Sequence, residues 1–192
     1  MNIQDERERT DMNRKNIGIT LFFMLAVWIV IIFYFSSQPP SISHGQSTMV
    51  VRLMRRVNEI FDITHTALYQ KAESFIKDVL LMGRYKSTNA VVRKSAHFGI
   101  YFILGMLCSS FGYVYAKKVL MAFLLGISLP VTVAVLDEFN QGFVGRTSTL
   151  NDVIIDGAGA FTGTMVMMLF LMIVKIIKGL GYKKATFRKE KR

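Results

Sequence analysis

One cysteine, three prolines and 13 acidic residues are all that this chain of 192 contains of those types, and only 19% of its residues are charged. A lone Cys108 excludes an intramolecular disulfide and any metal site built on paired cysteines, and it leaves the redox compartment open. Scarce charge beside 52% hydrophobic residues and a mean hydropathy of +0.36 excludes an ordinary soluble domain, whose core needs far less apolar material. The HExxH pair, the nucleophile elbow and the phosphate-cradling glycine loop are missing as well, so spacing alone names no reaction. Acids are outnumbered by 24 lysines and arginines, for a net charge of +11, which admits nucleic acid, an anionic membrane surface or acidic substrates as partners. The positions of the charges decide among them.

What is present is a set of long apolar runs. Ile17 to Phe35 has no charge over 19 residues, about 28 Å of helix, which matches the hydrocarbon thickness of a bilayer. It is too long for the apolar region of a signal peptide and no small-x-small cleavage site follows, so it reads as a retained anchor. Comparable runs cover Ser95 to Ala116, Val119 to Leu136 and Val153 to Val174. The sequence thus predicts an all-α polytopic membrane protein: an N-terminal segment over 1–16, a four-transmembrane-helix bundle over 17–174 and a basic tail over 175–192. Pro130 is expected to kink the third span.

Between the first two spans, SSQPPSISHGQS is turn-like. Beyond it, Val50, Met54, Val57 and Phe61, then Phe75, Val79 and Met82, recur at a helical period. One or two amphipathic helices are expected within 36–94, with Arg52, Arg55, Arg56, Lys71 and Lys77 on the polar face. They would lie on anionic headgroups or form a lid over the span ends. Arg14-Lys15, Lys117-Lys118 and the basic tail share one side of a four-span topology, which places both termini in the cytoplasm and the 36–94 loop outside, despite that loop's own basic residues. The tail fits anionic lipid of the inner leaflet better than nucleic acid.

Four acids gather between the last two apolar runs, in DEFNQGFVGRTSTLNDVIIDGAG: Asp137, Glu138, Asp152 and Asp156. In the four-span topology this stretch meets RKSAHFGIYFILG at the start of the second span. Helical spacing puts Lys94, His97 and Tyr101 on one face, Asp137 or Glu138 with Gln141 on another, and Asp152 and Asp156 on a stripe that continues through Gly159 and Gly163. The acids should therefore face Arg93, Lys94, His97 and Arg146 across a polar mouth, because an unpaired ion near hydrocarbon costs several kcal/mol. Structural roles compete throughout: Arg146 with Asp152 would fix a hairpin, and His97 would cap a polar network. Asp156, inside its span, is the best functional candidate. His97 with Asp137, Glu138 or Asp152 is chemically able to hold a hard cation, yet no metal-binding spacing is present, and no metal or cofactor is assigned. Polar groups massed at one end rather than at the midplane argue against a carrier.

These two blocks, together with FSSQPP and the QS that follows, resemble the signature segments of the VanZ-like membrane proteins over roughly Phe35 to Gly163. Carried over by position, the motif residues are Arg93, Lys94, His97, Tyr101, Asp137, Glu138, Gln141, Arg146, Asp152 and Gly159. Where the family pattern has a proline and glycine before the arginine, this chain has Val144-Gly145. The resemblance implies a bacterial cytoplasmic-membrane protein, of a family named for a member that raises teicoplanin resistance. Two functions are then expected as alternatives. In one, an outer-facing polar site binds an anionic lipid headgroup or a lipid-linked cell-wall precursor. In the other, a membrane-embedded transferase or hydrolase acts on such a substrate, with His97, Asp137, Glu138, Asp152 and Asp156 as catalytic candidates and Arg93, Lys94, Tyr101, Gln141 and Arg146 as binding residues.

Overall fold

A computed structural model of the chain describes residues 3–39, 88–146 and 149–190, with isolated positions at 41, 42, 45, 48, 49, 52, 56, 70, 71 and 74. The apolar positions of the expected amphipathic loop, Val50, Met54, Val57, Phe61, Phe75, Val79 and Met82, lie outside the described residues. Among the described residues four long helices carry the structure: α1 (Ile3–Ser36), α2 (Thr88–Ala116), α3 (Val119–Phe143) and α4 (Leu150–Glu190). No strand occurs among the described residues. Each helix contains a segment long and apolar enough to cross a membrane: Glu8–Ser36, Val91–Ala116, Val119–Phe143 and Leu150–Ile177. The protein is an all-α polytopic membrane protein.

Its polarity is distributed inside out relative to a soluble bundle. Phe22, Phe23, Val27, Val30, Leu124, Val135, Leu169 and Phe170 point outward and exposed, as lipid-facing side chains do, whereas Lys94, Asp137, Glu138, Gln141, Asp152, Asp156 and Thr164 are buried. Helices α2, α3 and α4 pack on one another, α2 most extensively on α4, and α1 leans on α2 and α3. Leu25, Ile32, Leu104, Cys108, Val133, Ala134 and Ala160 form the apolar core. Trp28 ties α1 to α2 by donating from Nε1 to the Ile100 carbonyl at 3.1 Å.

The turns fix the order of the bundle. Lys117, at φ 55°, lets α2 pass into α3 within two residues. Arg14 of α1 donates to the last carbonyls of α2, at 2.6 Å to Val114 and 2.7 Å to Tyr115, which satisfies groups the helix end leaves open. Arg14 and Lys117-Lys118 therefore share one end of the bundle, and the C-terminus of α1, the start of α2, the end of α3 and the start of α4 share the other.

Helix α3 continues past Pro130 to Phe143. Proline has no N–H for the carbonyl four residues back, that of Gly126. The Thr164 hydroxyl of α4 donates to that carbonyl at 2.8 Å, so a neighbouring helix supplies the missing bond. Thr164→Val is expected to destabilise the bundle by about 1–3 kcal/mol, because it leaves a buried carbonyl without a donor. Thr162→Val, on the exposed side of the same helix, should be close to neutral. Unfolding of both variants in detergent micelles measures the difference, and Pro130→Ala added to Thr164→Val should recover part of the loss by restoring the N–H.

Candidate functional site

The site begins where the apolar run of α3 ends but its helix does not. Past Leu136 the helix continues through DEFNQGF, and its spacing turns Asp137, Glu138 and Gln141 inward while Phe139 and Phe143 stay exposed. Gln141 Nε2 donates to Asp137 Oδ2 one turn back, at 3.1 Å. Glu138 Oε2 accepts the Thr149 N–H at 2.9 Å, which fastens α3 to the residue before α4. The Gln141 carbonyl accepts the N–H groups of Val144 and Arg146, both at 3.2 Å, and closes the turn. Gly145 occupies φ 71° there, a conformation that favours glycine.

Helices α2 and α4 run parallel and present matching polar stripes. Lys94 forms an ion pair with Asp152, and both side chains are about 95% buried. One turn deeper, His97 Nδ1 stands 3.4 Å from Asp156 Oδ1; Asp156 is wholly buried and His97 partly so. Deeper still lies Tyr101, 1% exposed, within electrostatic reach of Asp137 and Asp156. The steps of three and four residues on α2 meet the step of four on α4, as helical periodicity requires.

Cations complete the upper rim. Arg146 donates from Nη1 to the Ser36 carbonyl at 3.3 Å. Burial lowers the pKa of its guanidinium, and the nearby Arg93 charge lowers it further; Asp137, Glu138 and Asp152 oppose both effects. It remains a cation, as arginine does in proteins. Arg93 is half-buried, and its Nε closes no hydrogen bond. Several buried atoms share that condition: Asp137 Oδ1, Glu138 Oε1, both Asp156 oxygens and the Tyr101 hydroxyl.

All ten residues singled out in the sequence thus lie at one end of the bundle, on α2, α3, α4 and the turn before α4. The structure adds a fourth contributor, the C-terminus of α1. Ser36 Oγ donates to the Asp137 carbonyl at 3.4 Å, and Asn140 Nδ2 donates to Ser37 Oγ at 3.0 Å. The sequence reading left these serines without a role, although they stand in the FSSQPP segment. His97, Asp137 and Asp156 are the group able to hold a metal among the described residues, each offering a ligand atom within 4.8 Å of the others. Of the acids paired with His97 in the sequence reading, Asp137 belongs to this set and Glu138 and Asp152 do not; Asp156 takes their place.

A protein-family model described as VanZ/LLP1 matches residues 21–171. No curated protein and no solved structure matches the chain.

Proposed function

The chain belongs to the VanZ/LLP1 family, and on that premise we propose that it works in a bacterial cytoplasmic membrane by seating an anionic lipid headgroup or a lipid-linked envelope precursor, thereby lowering susceptibility to teicoplanin. The observation that carries this reading is the pair of guanidiniums at the rim. Arg93 lies close enough to Arg146 to lower the basicity of that guanidinium, and Arg93 keeps a buried Nε without a partner. Two cations held side by side at the edge of an apolar medium are each stabilised by an anion placed between them, and a phosphate accepts from both. The four acids below keep the rim from becoming a general anion trap, since only a group that stays near the surface meets the arginines before the carboxylates. Arg14, Lys117 and Lys118 at the opposite end support a cytoplasmic location for that end and an outward-facing mouth.

Susceptibility of a strain lacking the gene, and of the same strain with it restored, tests the proposal. Deletion should raise sensitivity to teicoplanin, whose lipid tail brings it to the membrane, more than to vancomycin. Restoration with Arg93→Gln or Arg146→Gln should fail to recover tolerance although the protein accumulates in the membrane. Unchanged susceptibility to both drugs on deletion would remove the resistance role.

The catalytic alternative draws on a different observation, the approach of Asp156 to Nδ1 of His97. A carboxylate on that nitrogen favours the tautomer that leaves Nε2 as a base. In the same assay, His97→Gln and Asp156→Asn would abolish tolerance if chemistry is involved. Full tolerance in both would make catalysis by this pair untenable.

A further inference from the structure

The rim explains Arg93 and Arg146 but not the floor beneath them. Asp156 is fully buried, its oxygens close no hydrogen bond of good geometry, and His97 Nδ1 stands 3.4 Å from Oδ1. Asp137 Oδ1 and the Tyr101 hydroxyl are buried in the same cluster, and neither closes a hydrogen bond of good geometry. His97, Asp137 and Asp156 thus bring ligand atoms from three helices within 4.8 Å of one another. Lys94 answers Asp152, and Arg146 sits at the rim, so neither cation supplies a partner at the level of Asp156.

We propose that His97, Asp137 and Asp156 are the protein ligands of a divalent transition-metal ion of the Zn2+ or Mn2+ kind, with the Tyr101 hydroxyl beside it. Two ligands about 2.05 Å from a tetrahedral ion stand about 3.3 Å apart. The 3.4 Å between His97 Nδ1 and Asp156 Oδ1 matches that separation. The remaining separations are all within 4.8 Å. The donor set selects the class of ion: the imidazole suits Zn2+ better than Mg2+ or Ca2+, the two carboxylates suit Mn2+ as well and supply a matching charge of minus two, and no thiolate is present to draw softer ions. Cys108, the single thiol, sits two to three turns deeper in α2. This site concerns the floor of the cluster and stands whether or not a lipid headgroup occupies the rim.

The full-length chain, purified in detergent micelles and stripped with a chelator, is incubated with Zn2+ or Mn2+, freed of excess ion and measured for metal content. One ion per chain is expected. His97→Gln and Asp156→Asn should each weaken binding by at least about tenfold, a ligand loss costing no less than loss of an outer partner. Glu8→Gln, an exposed acid at the other end, should change nothing. Added metal should raise the melting temperature of the wild type and of Glu8→Gln but of neither ligand variant, a response that a merely structural pair would not give. If a variant does not elute as a single species, titration of the stripped wild type with Co2+ decides. A visible spectrum unlike that of the aqueous ion upholds the site, and an unchanged spectrum overturns it. Absence of stoichiometric metal in well-behaved wild type, or full binding by both ligand variants, overturns it as well.

Discussion

Lys94→Met is expected to destabilise the bundle by about 3–5 kcal/mol, the cost of removing one partner from a buried ion pair and leaving the other charge in a medium that cannot hydrate it. Lys94 and Asp152 are both about 95% buried, so solvent screens little of the interaction. The double variant Lys94→Met with Asp152→Leu should recover most of the loss, because an apolar pair of similar volume is often as good as the ions it replaces. A double-mutant cycle read from unfolding in micelles therefore predicts strong coupling between these two positions and weak coupling of Lys94 to Asp11 at the far end of the bundle. The functional consequence differs from the energetic one. If the pair only joins α2 to α4, the stable double variant keeps the teicoplanin tolerance proposed above; if its charge also shapes the mouth, the double variant is stable and without that proposed function. That separation makes this pair the most informative place to distinguish scaffold from site.

The four spans were legible because a membrane imposes a length and a composition that few other environments require, and the runs from Ile17, Ser95, Val119 and Val153 satisfy both. Their ends were less legible. An apolar run stops at Leu136, but α3 continues to Phe143, since one side of the helix turns polar while Phe139 and Phe143 stay outward with ring centroids 4.9 Å apart. Averaging over all faces hides such a change. The faces themselves were readable: Lys94, His97 and Tyr101 share one by spacing alone. Which cation would meet which acid was not, because that depends on the axial register between α2 and α4, and register is a property of two helices together. The pairing of Asp156 rather than Asp152 with His97 follows from it. Ser36 and Ser37 escaped for a related reason: a serine at a helix end resembles an ordinary cap until its neighbours are known.

The register has an identifiable source, and a single methyl group placed there should have a large effect. A Cβ built on Gly159 would meet the backbone carbonyl of Phe98, and one on Gly163 would meet that of Phe102. Both obstacles are helix backbone, which cannot rotate aside as a side chain can. These two glycines, four residues apart, let α4 lie against α2 at backbone distance, the small-xxx-small arrangement that brings membrane helices together. Gly159→Ala and Gly163→Ala are each expected to cost more than about 3 kcal/mol, at or beyond the upper end of overpacking, because only separation of the two helices relieves the contact. Gly157→Ala in the same short stretch supplies the control. Its Cβ would meet nothing nearer than Val131 Cγ2 at 3.8 Å, and alanine is the better helix former by about 1 kcal/mol, so this variant should be neutral or slightly stabilised. Since Asp152, Asp156, Gly159 and Gly163 lie along one stripe, helices forced apart at the glycines also carry Asp152 from Lys94 and Asp156 from His97. Gly159→Ala should therefore lose the proposed teicoplanin tolerance and the proposed metal-dependent rise in melting temperature together, although it alters no polar atom. Retention of both by a correctly inserted Gly159→Ala protein would mean that the glycines do not set the register on which the polar pairs depend.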